Sequence, residues 1–342
     1  MSKIIFPAEW YPQSAVQITW PHHDTDWAPT FDEVIPCFVE IAKEIIKRET
    51  LLIVCRDQEE ARRQLGNIDD NRIIFREMPV NDTWARDHGG ITVFEDNQPK
   101  VLDFVFNGWG MKFAANHDNL INRRLFQSNT FADNVEVVNM QPFVLEGGSI
   151  ESDGQGTILS TIECLSSANR NEYLNKEQLE YHLKDMLGVE RFLWLENGYL
   201  AGDDTDSHID TLARFCDENT IAYVKCEDTE DEHFEELKAM EEELKTFRTA
   251  AGQSYRLIPL PMADEITRNG ERLPATYANF LIINGAVLIP FYQSDKDEPA
   301  RKILQTVFPD REIIGINCLP LIKQHGSLHC VTMQYPKGVI KN

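Results

Sequence analysis

The stretch "GSLHCVTMQYP", residues 326–336, decides the fold because it shows how the last repeat of the chain ends. Earlier repeats place a polar loop before a complete hairpin with a Gly, Asn or Asp turn, as in "ESDGQG" from Glu151. Here only "VTMQYP" follows the loop. An unpartnered strand, "AVQITWP" from Ala15, stands near the N-terminus, and we expect it to complete this hairpin. The chain would then close into a ring that hides its sheet edges.

Five short apolar strands, each after an amphipathic helix, set the period of the repeat. They begin at Arg72, Val135, Arg191, Tyr255 and Glu312, so successive starts lie 63, 56, 64 and 57 residues apart. The same pattern predicts helices over residues 31–48, 57–66, 116–127, 176–187, 232–246 and 298–307. No linker or change in composition divides the chain, which predicts a single α/β domain over residues 1–342.

The composition restricts the classes of partner. The net charge of −23 argues against nucleic acid and anionic membranes. Its field would favour a cationic ligand, although an acidic surface more often serves only solubility. The most acidic stretch, "EDTEDEHFEELKAMEEEL", is expected to be a solvated helix face with its leading loop. Seven cysteines without a CxxC pair predict neither disulfides nor a zinc site and suit a reducing compartment. Without a signal-like start or a long apolar run, the expected location is the cytoplasm, and the oligomeric state, a homo-oligomer included, stays open.

Polar loops follow the five strands and would meet at one end of the ring, near its axis. They read "TWARDHGG", "LEGGS", "DSHID", "TYANF" and "SLHC". Their chemically active side chains are those of Trp84, Arg86, Asp87, His88, Glu146, His208, Asp210, Asn279, His329 and Cys330. A thiol, imidazoles, carboxylates and an amide in one place predict nucleophilic catalysis on a cationic substrate.

Cys330 is the candidate nucleophile, active as its thiolate. A lone cysteine at a strand start is more often a small buried hydrophobe, but its place in the loop ring reverses that interpretation. The rival thiol, Cys164, follows a hairpin of its own and is expected to serve packing. His208 and Asp210 are two residues apart, so in an extended segment their side chains would point to the same face. The sequence "HID" alone fits a surface loop equally well. Beside a carboxylate, His208 is expected to keep a raised pKa and to act as acid and base.

Asp87 and Asp210 would present two carboxylates to the two edges of a planar cation. Guanidinium fits this description, because its fork of donors pairs with carboxylates in a fixed geometry. Arg86 would hold Asp87 or Glu146 ionised, and a plain structural ion pair explains it equally well.

Six motifs in order then resemble a known family nearly from end to end. They are "PAEWYPQSAVQITWPHHDTDW", "VNDTWARDHGG", "LEGGSIESDGQGTILSTIECL" followed by "NRN", "SHIDTLARF", "PATYANFLIINGAVLIP" and "GSLHC". On these residues the chain resembles the agmatine deiminases of the Porphyromonas-type peptidylarginine deiminase family, within the guanidino-group-modifying (pentein) superfamily.

The resemblance implies a fivefold pseudo-symmetric α/β propeller with its active site on the axis. In that family the residue matching Cys330 is the nucleophile that forms an amidino-cysteine intermediate, and the one matching His208 is the general acid and base. Those matching Asp87 and Asp210 grip the guanidinium. Glu146 and Asn279 match pocket residues whose roles are less defined.

The reaction implied is agmatine plus water giving N-carbamoylputrescine and ammonia, in putrescine biosynthesis and without a metal or organic cofactor. Trp84, Trp109, Trp20, Asp24 and Asp26 are offered for the rest of the small guanidino substrate, although each has a structural reading too. In "WARDHGG", His88 and Gly90 replace the usual family residues, so we expect the pocket wall beside Asp87 to differ.

Two rival functions remain open. A peptidylarginine deiminase would convert arginine in proteins to citrulline, and an enzyme of that kind is often exported. A non-catalytic polyamine binder would keep the ring of loops without needing the thiol.

Overall fold

The computed structural model describes residues 3–68 and 71–341. The helices are α1 Phe31–Ile46, α2 Gln58–Leu65, α3 Ala85–His88, α4 Gly108–Met111, α5 Ile121–Gln127, α6 Ile162–Leu165, α7 Lys176–Leu187, α8 Phe234–Thr246, α9 Asp297–Val307 and α10 Leu319–Ile322. Short 3-10 turns lie at Ala28–Thr30, Asp118–Leu120, Gly147–Ser149 and Ile209–Thr211.

The strands are β1 Ile4–Ile5, β2 Gln13–Thr19, β3 Thr50–Cys55, β4 Ile73–Glu77, β5 Ile91–Glu95, β6 Gln98–Val105, β7 Glu136–Val144, β8 Ile150–Ser152, β9 Thr157–Thr161, β10 Arg191–Leu195, β11 Ala213–Asp217, β12 Thr220–Lys225, β13 Arg256–Pro261, β14 Thr267–Arg268, β15 Glu271–Arg272, β16 Leu281–Ile283, β17 Ala286–Phe291, β18 Glu312–Asn317 and β19 Thr332–Pro336. All five predicted apolar strands are present, as β4, β7, β10, β13 and β18, each within a residue of its expected start.

One arrangement recurs in five sheets: an antiparallel pair, followed by a strand that pairs in parallel with its second member. It appears in β5-β6-β7, which β1 extends, in β8-β9-β10, β11-β12-β13 and β16-β17-β18, and in β19-β2-β3-β4. Strands β14 and β15 form a separate small hairpin. Each parallel connection carries the chain through an intervening helix, as a parallel crossover requires.

The last sheet joins the two ends of the chain. Strand β19 pairs antiparallel with β2, with Thr332 opposite Ile18 and Gln334 opposite Val16. Strand β2 in turn pairs in parallel with β3. The predicted completion of the fifth hairpin by the N-terminal strand is therefore confirmed.

Local signals explain where several helices begin. Asp57 caps α2 by accepting a hydrogen bond from Glu60 N (2.9 Å), and Asn175 begins α7 with a capping box. The helix predicted over residues 116–127 was too long, since regular helix begins only at Ile121. Its expected first turn is fixed by tertiary contacts instead, because the Asp118 carboxylate accepts from the backbone N–H groups of residues 81 and 82.

Apolar helix faces cover the sheets. Helix α1 buries Val34, Phe38, Ile41 and Ile45, at the spacing of one helix face, in the cluster that holds β3. Helix α8 buries only Leu237, Met240 and Leu244, and its acidic residues lie on the outer faces, which confirms the predicted solvated face. All seven cysteines are buried and carry free thiols. No helix among residues 3–68 and 71–341 is both long enough and apolar enough to cross a bilayer.

Candidate active site

The five loops contact one another in a closed ring. The hydrogen bonds that join them run from Gly148 N to Asp87 Oδ1 (2.9 Å), from Asn279 Nδ2 to Asp210 O (3.2 Å), from His329 N to Asn279 Oδ1 (2.9 Å) and from Arg86 N to Cys330 O (3.1 Å). The remaining contact is between the 3-10 turns Gly147–Ser149 and Ile209–Thr211. Residues far apart in sequence therefore meet where the repeat predicted.

Gly148 marks the point on which three of the predicted side chains converge. A Cβ at this position would lie 2.7 Å from His208 Nδ1, 2.8 Å from Asp87 Oδ1 and 3.2 Å from Asp210 Oδ2. Real Cβ atoms do not approach other atoms so closely, so any larger residue would displace His208 or Asp87. The position needs glycine for space, and the imidazole and the two carboxylates share one small volume.

A cavity of about 210 Å³ opens beside this point. Asp87, His208 and Cys330 line it together with Trp84, Trp109 and Phe113. Its remaining wall is rich in acids, and consists of Asp26, Asp82, Asp203, Asp204, Thr205, Thr211, Gln324, His325 and Gly326. The cavity suits a small ligand with one flat cationic end and a second positive or apolar part.

Cys330 lies where the last loop enters β19. Its Sγ is 3.4 Å from Asn279 Oδ1 and 3.9 Å from Asp210 Oδ2. Burial raises its pKa well above the ordinary value, and the carboxylates of Asp210 and Asp87 raise it further. The free protein therefore holds a thiol, and a cation between those carboxylates would favour the thiolate.

His208 lies within reach of two acids. Its Nδ1 is 3.7 Å from Asp87 Oδ1 and its Nε2 is 4.0 Å from Glu146 Oε2. The expected raised pKa is wrong: burial lowers the pKa of His208 to about 3, and the opposing charge of Asp210 does not compensate. The imidazole is therefore neutral in the free protein and available first as a base.

The two carboxylates predicted to bind guanidinium are held differently. Asp87 accepts hydrogen bonds from Gly148 N and from Trp109 Nε1 (2.9 Å each). Burial, and then the neighbouring charge of Asp210, raise its pKa. Burial acts to raise the pKa of Asp210, but the hydrogen bond and the charge of His329, together with the charges of His208 and Arg214, outweigh burial and lower the pKa. Of the two carboxylates, Asp210 is thus the one whose surroundings favour the ionised form.

Glu146 has a partner that the sequence analysis missed. Arg170 Nε lies 3.0 and 2.9 Å from the two Glu146 oxygens, and Arg170 Nη1 contacts Asp206 Oδ2 at 2.6 Å. Arg86 does not hold Asp87 or Glu146: its guanidinium faces Glu9 at 3.5 Å, so the alternative of a plain structural ion pair is confirmed. Arg170 is the central residue of "NRN". This motif could be matched to the family from sequence, but its ion pair with Glu146 could not be predicted from it.

The tryptophans divide into two groups. Trp84 and Trp109 line the cavity, and Trp109 has a left-handed backbone (φ 55°) between two glycines, which aims its indole N–H at Asp87. Trp20 instead donates to Gln64 Oε1 (2.6 Å) and packs on Phe38, so the structure does not bring it to the cavity.

Two further expectations concern residues beside the cavity. Asp26 lies in its wall, whereas Asp24 pairs with Arg56 elsewhere on the surface. His88 packs against Phe106 and lies 3.4 Å from Thr19 Oγ1, and a Cβ on Gly90 would meet Val101. Neither residue is in the cavity wall among the described residues, so the expected change in the pocket wall was wrong.

Two groups of side chains bring possible metal-ligand atoms within 4.8 Å of one another: Glu146, Cys164 and His208, and Glu9, Glu151 and His329. In both, arginine already supplies the positive charge. Arg170 pairs with Glu146, and Arg214 pairs with Glu9 and Glu151. The donor sets fit buried ion pairs, and the mechanism proposed below uses no metal.

Known proteins resemble this chain over almost all of its length. A crystal structure of a protein from Porphyromonas gingivalis is 57% identical with a TM-score of 0.96, and the match covers 99% of this chain and 100% of that one. Agmatine deiminase of C. jejuni with substrate bound is 39% identical with a TM-score of 0.92, covering 98% and 97%. A curated agmatine deiminase of Pseudomonas putida is 32% identical, covering 97% of this chain and 95% of that one.

The fold extends further than the sequence similarity. DDAH from Pseudomonas aeruginosa, at 11% identity, superposes with a TM-score of 0.51 over 95% of this chain and 100% of that one. The fold is therefore the α/β pentein fold that the resemblance implied.

Fold and site together define a hydrolase that acts on the C–N bond of a guanidino group. The sequence profile described as Porphyromonas-type peptidyl-arginine deiminase matches residues 5–336. The chain belongs to this family.

Proposed function

We propose that the protein hydrolyses agmatine to N-carbamoylputrescine and ammonia and so supplies putrescine synthesis. One observation carries the proposal: Cys330, His208 and Asp87 line a cavity that is otherwise largely acidic and aromatic, and Asp210 lies beside them, with its Oδ2 3.9 Å from Cys330 Sγ. The agmatine deiminase names of the relatives support the same substrate.

In the first half-reaction the guanidinium lies between Asp87 and Asp210, with its carbon facing Cys330 Sγ. The arriving cation offsets the two acids that raise the thiol pKa, so the thiol proton passes to neutral His208. The thiolate adds to the guanidinium carbon, and the C–N bond to one terminal nitrogen breaks. His208 returns the proton to that nitrogen, and ammonia leaves a cationic S-alkylthiouronium on Cys330.

In the second half-reaction His208, neutral again, takes a proton from water as the oxygen adds to the thiouronium carbon. The C–S bond breaks and the ureido product leaves. Thiouronium and water thus give ureido product, thiol and one proton, and in solution the ammonia takes up that proton. Glu146, fixed by Arg170, lies 4.0 Å from His208 Nε2 and steadies the imidazolium formed in each step.

The cavity wall supports agmatine over free arginine. The ammonium of agmatine would lie in a cavity whose lining includes Asp26, Asp82, Asp203 and Asp204 and the rings of Trp84 and Trp109. Free arginine would bring a carboxylate to the same acids. Among the described residues the lining holds no lysine or arginine, and its basic side chains are those of His208 and His325.

We further propose that the chain acts as one domain over residues 1–342, in the cytoplasm. Buried bonds that join the N-terminal segment to distant loops support the single domain, since Glu9 accepts from Ile282 N (2.7 Å). The chemistry needs no organic cofactor, because the guanidinium already carries the charge that makes its carbon electrophilic.

The substrate is tested by comparing ammonia release from agmatine, free arginine and an arginine-containing peptide. We expect kcat/KM to be highest for agmatine, by at least about 100-fold over arginine, because arginine places an unpaired carboxylate among acids. The Asp204→Asn variant should lower the ratio of kcat/KM for agmatine to kcat/KM for arginine, because it removes one of the acids that repel the arginine carboxylate. Faster turnover of the peptide would replace this proposal with the peptidylarginine deiminase alternative, and no ammonia from any of the three would favour a non-catalytic binder.

A further inference from the structure

His329 lies between two buried carboxylates. Its Nδ1 is 2.7 Å from Asp210 Oδ2 and its Nε2 is 2.6 Å from Glu9 Oε2, and only 1% of the residue is exposed. A carboxylate oxygen accepts hydrogen bonds, and a neutral imidazole has one N–H to donate. Both contacts are satisfied together when both ring nitrogens carry a proton. The geometry therefore describes an imidazolium.

The surrounding charges point the same way. His329 belongs to a buried cluster with Glu9, Arg86, Glu151, Asp210 and Arg214, in which none of the six is more than 8% exposed. Three carboxylates face two guanidinium groups, so a proton on His329 makes the cluster neutral, whereas a neutral His329 would leave a net negative charge buried. Cys330, the next residue, Asp87 and His208 are further titratable groups nearby.

The contact with His329 fixes the orientation of the Asp210 carboxylate. Its Oδ2 is engaged by His329, while Oδ1 is buried and has no hydrogen-bond partner among residues 3–68 and 71–341. A carboxylate in this state has a fixed orientation, a full charge and one acceptor oxygen free for the substrate.

We propose that His329, held as an imidazolium between Glu9 and Asp210, is a positioning residue that keeps Asp210 ionised and oriented for the guanidinium. The proposal rests on the proposed deiminase function, in which Asp210 binds the substrate cation. His329 does not touch the reacting atoms, and it acts through Asp210.

His233 provides an internal control. It is equally buried, and its Nδ1 lies 2.7 Å from Asp231 Oδ1, as close to a carboxylate as His329. Its Nε2, however, accepts a hydrogen bond from Ala201 N (2.8 Å). A ring nitrogen that accepts a hydrogen bond carries no proton, so His233 is a neutral imidazole. The two histidines therefore differ in the number of protonated ring nitrogens.

Nitrogen-15 NMR of the histidine-labelled wild-type protein near neutral pH reads that difference directly. We expect two protonated ring nitrogens for His329 and one for His233, with the signals assigned by their loss in the His329→Gln and His233→Gln variants. A single protonated nitrogen on His329 would overturn the proposal. This measurement needs only the wild-type fold, with the triple-resonance pattern of the Leu328–Cys330 segment as a second route to assignment.

The pH profile of kcat/KM for agmatine tests the consequence. Losing a cation at hydrogen-bond distance raises a carboxylate pKa by about 1–3 units, so the acidic limb should move to higher pH in His329→Gln. At pH 5 we expect kcat/KM to fall about tenfold, with the loss shrinking toward zero by about pH 7 as Asp210 ionises. His233→Gln should keep the wild-type profile.

The outcomes separate the two proposals. A wild-type protein that releases no ammonia from agmatine would refute the deiminase function itself. An active wild type whose His329→Gln variant loses the same factor at every pH would leave that function in place and show that His329 serves packing alone.

Discussion

The Cys330→Ala variant is expected to lose ammonia release from agmatine by about a million-fold in kcat, the scale seen when a covalent hydrolase loses its nucleophile. Without the thiol no thiouronium forms, and water must attack a guanidinium that is a poor electrophile. The carboxylates of Asp87 and Asp210 remain, so agmatine should still bind. Steady-state ammonia release and calorimetric titration with agmatine measure the two effects separately.

Cys164→Ala is the matched control, because Cys164 is the rival buried thiol and does not line the cavity. Its activity should stay within about tenfold of wild type, since a small buried side chain is shortened without removal of a reacting group. The assignment of the nucleophile would be reversed if Cys330→Ala kept its activity and Cys164→Ala lost it.

Replacing Asp87 by asparagine is expected to lower kcat/KM for agmatine by about 1,000-fold, the range for truncating one partner of a buried charge pair. Both Asp87 oxygens already accept a hydrogen bond, from Gly148 N and Trp109 Nε1. An asparagine has one acceptor oxygen, so its NH₂ group would face one of these donors as well as the substrate cation. The loss should fall on both binding and rate.

Asp24→Asn is the control for the general loss of an acid, because Asp24 pairs with Arg56 outside the cavity. It should change kcat/KM by less than about twofold, since exposed ion pairs contribute little. Equal losses in the two variants would mean that overall negative charge, and not a specific contact, governs substrate binding.

The strand pairing and the meeting of the loops could be predicted from sequence. The regular spacing of the apolar strands and the position of the polar loop in each unit can be recognised from short segments of sequence. The pairing of β19 with β2 follows because the fifth hairpin lacks its second strand and the N-terminal strand lacks a partner. Cys330, His208 and Asp87 could be chosen for the same reason, since their positions are equivalent in the repeat.

Quantities that depend on three-dimensional surroundings could not be predicted. The pKa of His208 falls because burial outweighs the nearby charge of Asp210, and the degree of burial is not visible in "SHID". Glu9, which binds Arg214 and His329, stands in "PAEW" without a local sign of either partner. Trp20 in "WPHHDTDW" was predicted to be a pocket residue because an aromatic ring near acids fits a cation site. In the structure its indole N–H donates to Gln64 and its ring packs on Phe38.

The central claim is that the guanidinium carbon becomes bonded to Cys330 during turnover. Mass spectrometry of the protein, quenched with acid while it turns over agmatine and then digested, tests that claim most directly. The account predicts that the peptide carrying Cys330 gains the mass of the thiouronium adduct, that the adduct disappears when agmatine is exhausted, and that Cys164 stays unmodified. An unmodified Cys330 thiol throughout rapid turnover would contradict covalent catalysis.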